Sequence, residues 1–169
     1  MLCFGATASF VSLSSARRTV SWPDWMSVHC RSRIGLGANL PKDAIYPTAY
    51  VDSTEAELDS AKQYTLCFDA GKLPPVNAFW SVTLYDEQGF QVPNALERFS
   101  LGTRNALAVG EDGSVTLYVQ RDMDATDARQ SNWLPAPPSG VFNLTVRLYS
   151  PEQVALDADW KPPGVTLVP

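Results

Sequence analysis

The chain has 169 residues, one ordinary domain with some chain left over, and its 45% hydrophobic and 18% charged residues are those of a globular protein rather than a disordered one. A net charge of −5 and a pI of about 4.7 disfavour a nucleic-acid partner, which needs a basic face, and suit a small molecule, a neutral polymer or another protein. Cys3, Cys30 and Cys67 are odd in number and form no C-x-x-C pair, so neither a disulfide framework nor a zinc ribbon is expected, and no apolar run is long enough to span a bilayer.

Residues 1–33 differ in composition from the rest. They hold Arg17, Arg18, Arg31 and Arg33 against one acid, Asp24, and are rich in Ser. A secretory signal, an organelle transit peptide and an extension foreign to the fold compete for this leader. No basic region precedes the mildly apolar run 2–13 and the Arg pair follows it, so the third reading is preferred and poor order is expected. Residues 34–169 are taken as one soluble module. The stretch 34–47 has G-x-G without a third Gly at the dinucleotide spacing, and reads as a loop or helix remnant.

Residues 46–51 form a first strand candidate, and the acidic stretch 52–60 a solvated turn or short helix. In 62–69, Tyr64, Leu66 and Phe68 alternate with Thr65 and Cys67, the period of a half-buried strand. Cys67 there reads as a small core or strand residue rather than a reactive thiol. The segment 78–85 is the best strand: Ala78, Trp80, Val82 and Leu84 share one face, taken as core at Trp80, and Phe79, Ser81, Thr83 and Tyr85 the opposite one. Asp86 to Gly89 make a turn, with a short return strand over 90–92. A weaker strand covers 98–101, and Glu111-Asp112-Gly113 is a hairpin-type turn before a strand over 115–120.

A polar connection runs over 121–131, and 132–140 is too rich in Pro for a central strand. Residues 141–149 alternate throughout, with Phe142, Leu144, Val146 and Leu148 against Asn143, Thr145, Arg147 and Tyr149. Ser150, Pro151 and Gln153 then fit N-cap, N1 and N3 of a short helix to about Leu156. Val165 to Val168 add an edge strand. Many short strands with dispersed turns predict an all-β antiparallel sandwich or barrel with a short C-terminal helix.

Several segments resemble a known family in the same order: GLGANLPKDAIYPTAYVD, AFWSVTLYDEQGFQVPNALERFSLG, DGSVTLYVQ and NWLPAPPSGVFNLTVRLYSPEQVALDADWKPP. The likeness, over about 34–168, is to the C-terminal module of proteins whose halves are known as domains of unknown function DUF1254 and DUF1214. It implies a jelly-roll-like β-sandwich and no established activity. The N-terminal half has no counterpart here, which implies a face open to a partner domain or to a second copy.

The only His, His29, lies in the leader, so no Ser-His-Asp or Cys-His arrangement and no His-based zinc site can form in the module. Asp122, Asp124 and Asp127 lack the Gly and terminal Glu of a Ca²⁺ loop and read as a solvated acidic loop. No metal or cofactor is expected. The sequon Asn143-Leu144-Thr145 lies mid-strand, a poor acceptor. Arg98, Arg104 and Arg147 are candidate binding residues. An Arg147 that lines a concave surface with Tyr149, Trp80 or Trp133 could hold a carboxylate or phosphate in its fork; on a solvated face it is merely polar. Trp80 reads as core, and Trp133 as a loop aromatic that faces a ligand or lids the core.

Three functions follow. The first is a module that is non-catalytic by itself and serves domain packing or ligand binding, including a small or carbohydrate-like ligand. The second is a hydrolase or lyase-type enzyme using a carboxylate or Tyr with Arg. The third is a self-associating structural module. The catalytic residues, compartment and ligand are not legible in the sequence.

Overall fold

The computed structural model describes residues 39–124 and 126–169; the expectations for the leader and the start of the module lie outside them. Among the described residues, nine strands build two sheets. They are β1 (Ala44–Ile45), β2 (Thr48–Ala49), β3 (Tyr64–Phe68), β4 (Val76–Asp86), β5 (Ser100–Gly102), β6 (Val115–Gln120), β7 (Trp133–Pro135), β8 (Phe142–Pro151) and β9 (Val165–Leu167). One sheet has the order β1-β8-β4-β5, with β2 beside β1 on the same edge of β8. The other has the order β7-β6-β3-β9. The architecture is an all-β sandwich with one short helix, α1 (Gln153–Leu156).

The alternation along the long strands decides which side is core. Trp80, Val82 and Leu84 of β4 and Phe142, Leu144, Val146 and Leu148 of β8 are all buried. Opposite them lie Tyr64, Leu66 and Phe68 of β3 and Val115, Leu117 and Val119 of β6. Aromatic pairs bridge the layers: Phe68 meets Trp80 at 5.2 Å between centroids, and Tyr64 meets Phe142 edge-on at 5.8 Å. Each such pair adds about 0.5–1.5 kcal/mol beyond its burial. With period 2, a one-residue slip would turn these side chains to solvent, so burial also holds the register.

Four local expectations are corrected. The first strand is two short pieces separated by Tyr46 and Pro47, because Pro has no N–H for the β8 ladder. Residues 90–92 are no strand: the Asp86 carboxylate accepts from the N–H groups of Gln88 and Phe90, and Asn94 then binds the backbone of Val92, Leu96 and Arg98. The sheets are not wholly antiparallel, since β7 pairs parallel to β6 at an edge, where its Pro135 is tolerated. Ser150 is not a helix cap: β8 runs on to Pro151, Ser150 takes φ 51°, and the N-cap is Glu152 without a side-chain hydrogen bond. Cys67 is the strand residue expected, on the side away from the core, where its thiol is exposed and accepts from the Thr116 hydroxyl at 3.4 Å.

The stretch 52–60 is a turn, but not a solvated one throughout. Asp52 is buried, and its Oδ1 accepts from the Thr54 N–H and hydroxyl and the Ala56 N–H. Burial pushes this carboxyl up, and those hydrogen bonds outweigh it and hold the pKa below its ordinary value.

Candidate functional site

The strand pair β4–β8 is the longest among the described residues, and its outer side collects the polar and aromatic residues that alternation keeps out of the core. Across the pair, Phe79 faces Tyr149, Ser81 faces Arg147, Thr83 faces Thr145 and Tyr85 faces Asn143. On the far side of β8, Thr48 is opposite Thr145, and the two hydroxyls are 3.0 Å apart. Thr83 and Thr145 lie on this outer side and are nevertheless buried.

Around them runs a continuous row of rings and guanidinium groups. Arg104 lies 4.2 Å over the Phe79 ring, which stacks on Tyr149 at 4.4 Å and 24°. Tyr149 meets Tyr46 edge-on at 6.0 Å. Arg147 sits over Tyr46 at 5.2 Å and Tyr85 at 5.7 Å, and its Nη2 donates to the Tyr85 hydroxyl. Cation–π contacts of this kind contribute about 0.5–1 kcal/mol where exposed and more where desolvated.

Arg147 is half-buried. Burial works against its charge, and hydrogen bonding to Tyr149 and Tyr85 outweighs that, so its pKa lies above the ordinary value. Burial also raises the pKa of Tyr46, against a hydrogen bond from Asn39 that lowers it. Phenols serve here as hydrogen-bond partners rather than counter-ions. Among the described residues, neither Arg104 nor Arg147 has a carboxylate within ion-pair distance, whereas Lys72 pairs with Asp69 and Arg129 with Asp127.

Arg104, Arg147 and Tyr149 therefore come together on one face. Arg98 and Trp133 come together elsewhere. Trp133 was expected in a loop, but it belongs to β7, is buried, and donates its indole N–H to the Gln120 carbonyl at 2.8 Å. Arg98 Nη1 donates to the carbonyls of Trp133 at 2.8 Å and Gln130 at 2.6 Å, fastening the 3-10 helix Ala128–Asn132 to the chain after Asn94. Trp80 faces the core. Tyr46, Phe79 and Tyr85 were not foreseen as members of a site. The alternation had put Phe79 and Tyr85 on one outer face and Arg147 and Tyr149 on another, but nothing local says that β4 and β8 are neighbours.

Several of the acids are engaged in turns. Asp86, Asp112, Asp124 and Asp127 each accept from the N–H two residues on. Asp127 also binds the Arg129 guanidinium, which holds its carboxyl at about 2. Among the described residues, no group of three or more His, Cys, Asp and Glu is placed to hold a metal ion. No helix of the described residues is long and apolar enough to cross a membrane.

A family model described as "Protein of unknown function (DUF1214)" matches residues 43–153, well over half of the chain. A crystal structure of a protein from Vibrio parahaemolyticus is similar with TM-score 0.69 and 28% identity, covering 80% of this chain and 33% of that one. An uncharacterised protein from Burkholderia cenocepacia shares the fold at TM-score 0.50 and 16% identity, covering 79% of this chain and 31% of that one. The chain thus spans about a third of the length of either. No curated protein matches it.

Proposed function

The chain belongs to the DUF1214 family of proteins of unknown function, and from that premise we propose that it is a non-catalytic docking module whose working surface is the outer face of β4 and β8. Its partner is a companion protein segment of the kind that makes up most of the V. parahaemolyticus chain. The observation that carries this reading is the half-buried Arg147, set among Tyr46, Tyr85 and Tyr149 with no carboxylate beside it among the described residues. Aromatic residues and Arg are the types enriched at protein interfaces, where rings supply rigid contact area at low entropic cost. The face is the outer side of two long neighbouring strands, a surface broad enough for a protein segment.

An enzyme reading is less well supported. Asp86, Asp112, Asp124 and Asp127 are engaged with turn backbone, and no carboxylate stands within ion-pair distance of the arginines of the face among the described residues. In the V. parahaemolyticus structure, the positions that superpose on Phe79, Tyr85, Arg147 and Tyr149 are expected to lie under residues with no counterpart here. If that face is open to solvent there, the docking reading is wrong. Turnover of a substrate by this purified chain, lost in Arg147→Gln, would overturn it equally.

A further inference from the structure

Resting on that docking reading, we infer that the partner segment brings an aspartate or glutamate carboxylate onto the guanidinium of Arg147. A guanidinium has five N–H donors in a planar fork that matches a carboxylate with two parallel bonds. In Arg147, Nη2 is bound to the Tyr85 hydroxyl, and the guanidinium lies over the Tyr46 ring at 5.2 Å. Both are neutral partners: they hold the guanidinium in its charged form in a half-buried place and bring no opposite charge to it. Such a group favours an opposite charge delivered to its remaining donors.

The other described arginines differ. Arg129 is paired with Asp127. Arg98 is bound to two backbone carbonyls, and Arg121 to the Pro138 carbonyl. Arg129 also lies over a ring, that of Tyr118 at 5.2 Å, but its charge is met by Asp127; Arg104 and Arg147 rest on aromatic side chains with no carboxylate beside them among the described residues, and both are on the same face. Directly across from Arg147 stands Ser81, a small residue that leaves room beside the fork. In a chain of net charge −5 this face is a local positive spot, complementary to an acidic segment. Residues 1–33 of this chain are a poor source of the acid, with four arginines to one aspartate. A companion segment is therefore the source.

The test is an NMR titration of the ¹⁵N-labelled full chain with benzoate, a carboxylate on an apolar body, and with its neutral isostere benzamide and inorganic phosphate. The expected result is a saturable shift of the Arg147 Nε–H and of the Ser81 and Arg147 amides with benzoate. Benzamide should bind about tenfold more weakly, the loss of one charge-assisted hydrogen bond. Arg147→Lys should lose most of the benzoate response, because an ammonium cannot offer the fork. Equal response to benzamide, preference for phosphate, or shifts confined to the surroundings of Arg104 would each overturn the inference, and the wild-type comparison needs no variant to fold. Failure here together with a covered face in the V. parahaemolyticus structure removes the carboxylate anchor and leaves docking. A benzoate response with an open face there removes docking itself.

Discussion

Asn132 offers the sharpest test of how the sandwich is tied together. It is buried at the end of the 3-10 helix, and one side chain serves two distant segments. Its Oδ1 accepts from the Ala108 N–H at 2.8 Å, and its Nδ2 donates to the carbonyls of Ala108 at 2.8 Å and Thr116 at 2.9 Å. The long connection between β5 and β6 is thereby pinned to the sheet that holds β6 and β7. Asn132→Ala removes these three bonds to backbone, together with one that Oδ1 accepts from the neighbouring, half-buried Ser131 hydroxyl at 3.2 Å. At about 1 kcal/mol net for each bond to backbone, the loss is about 3 kcal/mol. Water reaches Ala108, which is exposed, so the larger penalty for orphaned groups does not apply in full. For a domain of this size such a loss lowers the Tm by roughly 10 °C. Asn132→Asp keeps the volume and the bond from Ala108 N–H, but turns a carboxylate oxygen toward two carbonyls. It should cost at least as much as Ala. Urea unfolding followed by Trp fluorescence gives both values if the transition is two-state. A loss under about 1 kcal/mol for Ala, or a milder effect for Asp than for Ala, would refute this account of the side chain.

Gly102→Ala should destabilise by about 3 kcal/mol or more, because a Cβ there would lie 2.1 Å from the Trp80 carbonyl oxygen and 2.6 Å from the Ser81 Cα, both backbone; an unchanged urea midpoint would contradict the β4–β5 packing. Tyr149→Ala should lose about 2 kcal/mol, from its two ring contacts, and Tyr149→Phe less than half of that; equal losses in calorimetry would place the weight on the hydroxyl instead. The Asp127 carboxyl should titrate at about 2 rather than 3.8, chiefly through its hydrogen bond from the Arg129 side chain. Because the folded value is depressed, its stabilising effect is present above about pH 4 and is lost as pH falls toward 2. A carboxyl NMR titration checks this, and Arg129→Gln should move the midpoint back up.

Much of the fold was legible because its signal is local. Side chains alternate along a strand, so the runs 64–68, 80–84, 115–119 and 142–148 declare their buried face without any knowledge of their neighbours. That was enough for an all-β sandwich and for the burial of Trp80, Val82 and Leu84. Other features were out of reach for a stated reason. Ser150 and Pro151 carry the local marks of a helix start, and the pairing of Pro151 with Val76 overrides them. Trp133 looks like a loop residue until β6 accepts its strand in parallel. Phe90 looks like a returning strand until the Asp86 carboxylate closes the turn.

The candidate site divides in the same way. The sequence by itself determined that Arg147 and Tyr149 share a non-core face of one strand, and Phe79 and Tyr85 a non-core face of another. Only the tertiary structure decided that these are one face, that Tyr46 joins it from beyond Pro47, and that Arg98 and Trp133 belong elsewhere. The physical reason is that strand alternation is written within a few residues. The partner of a strand is chosen by closing loops of tens of residues around a shared core, a contest in which no single segment carries the answer.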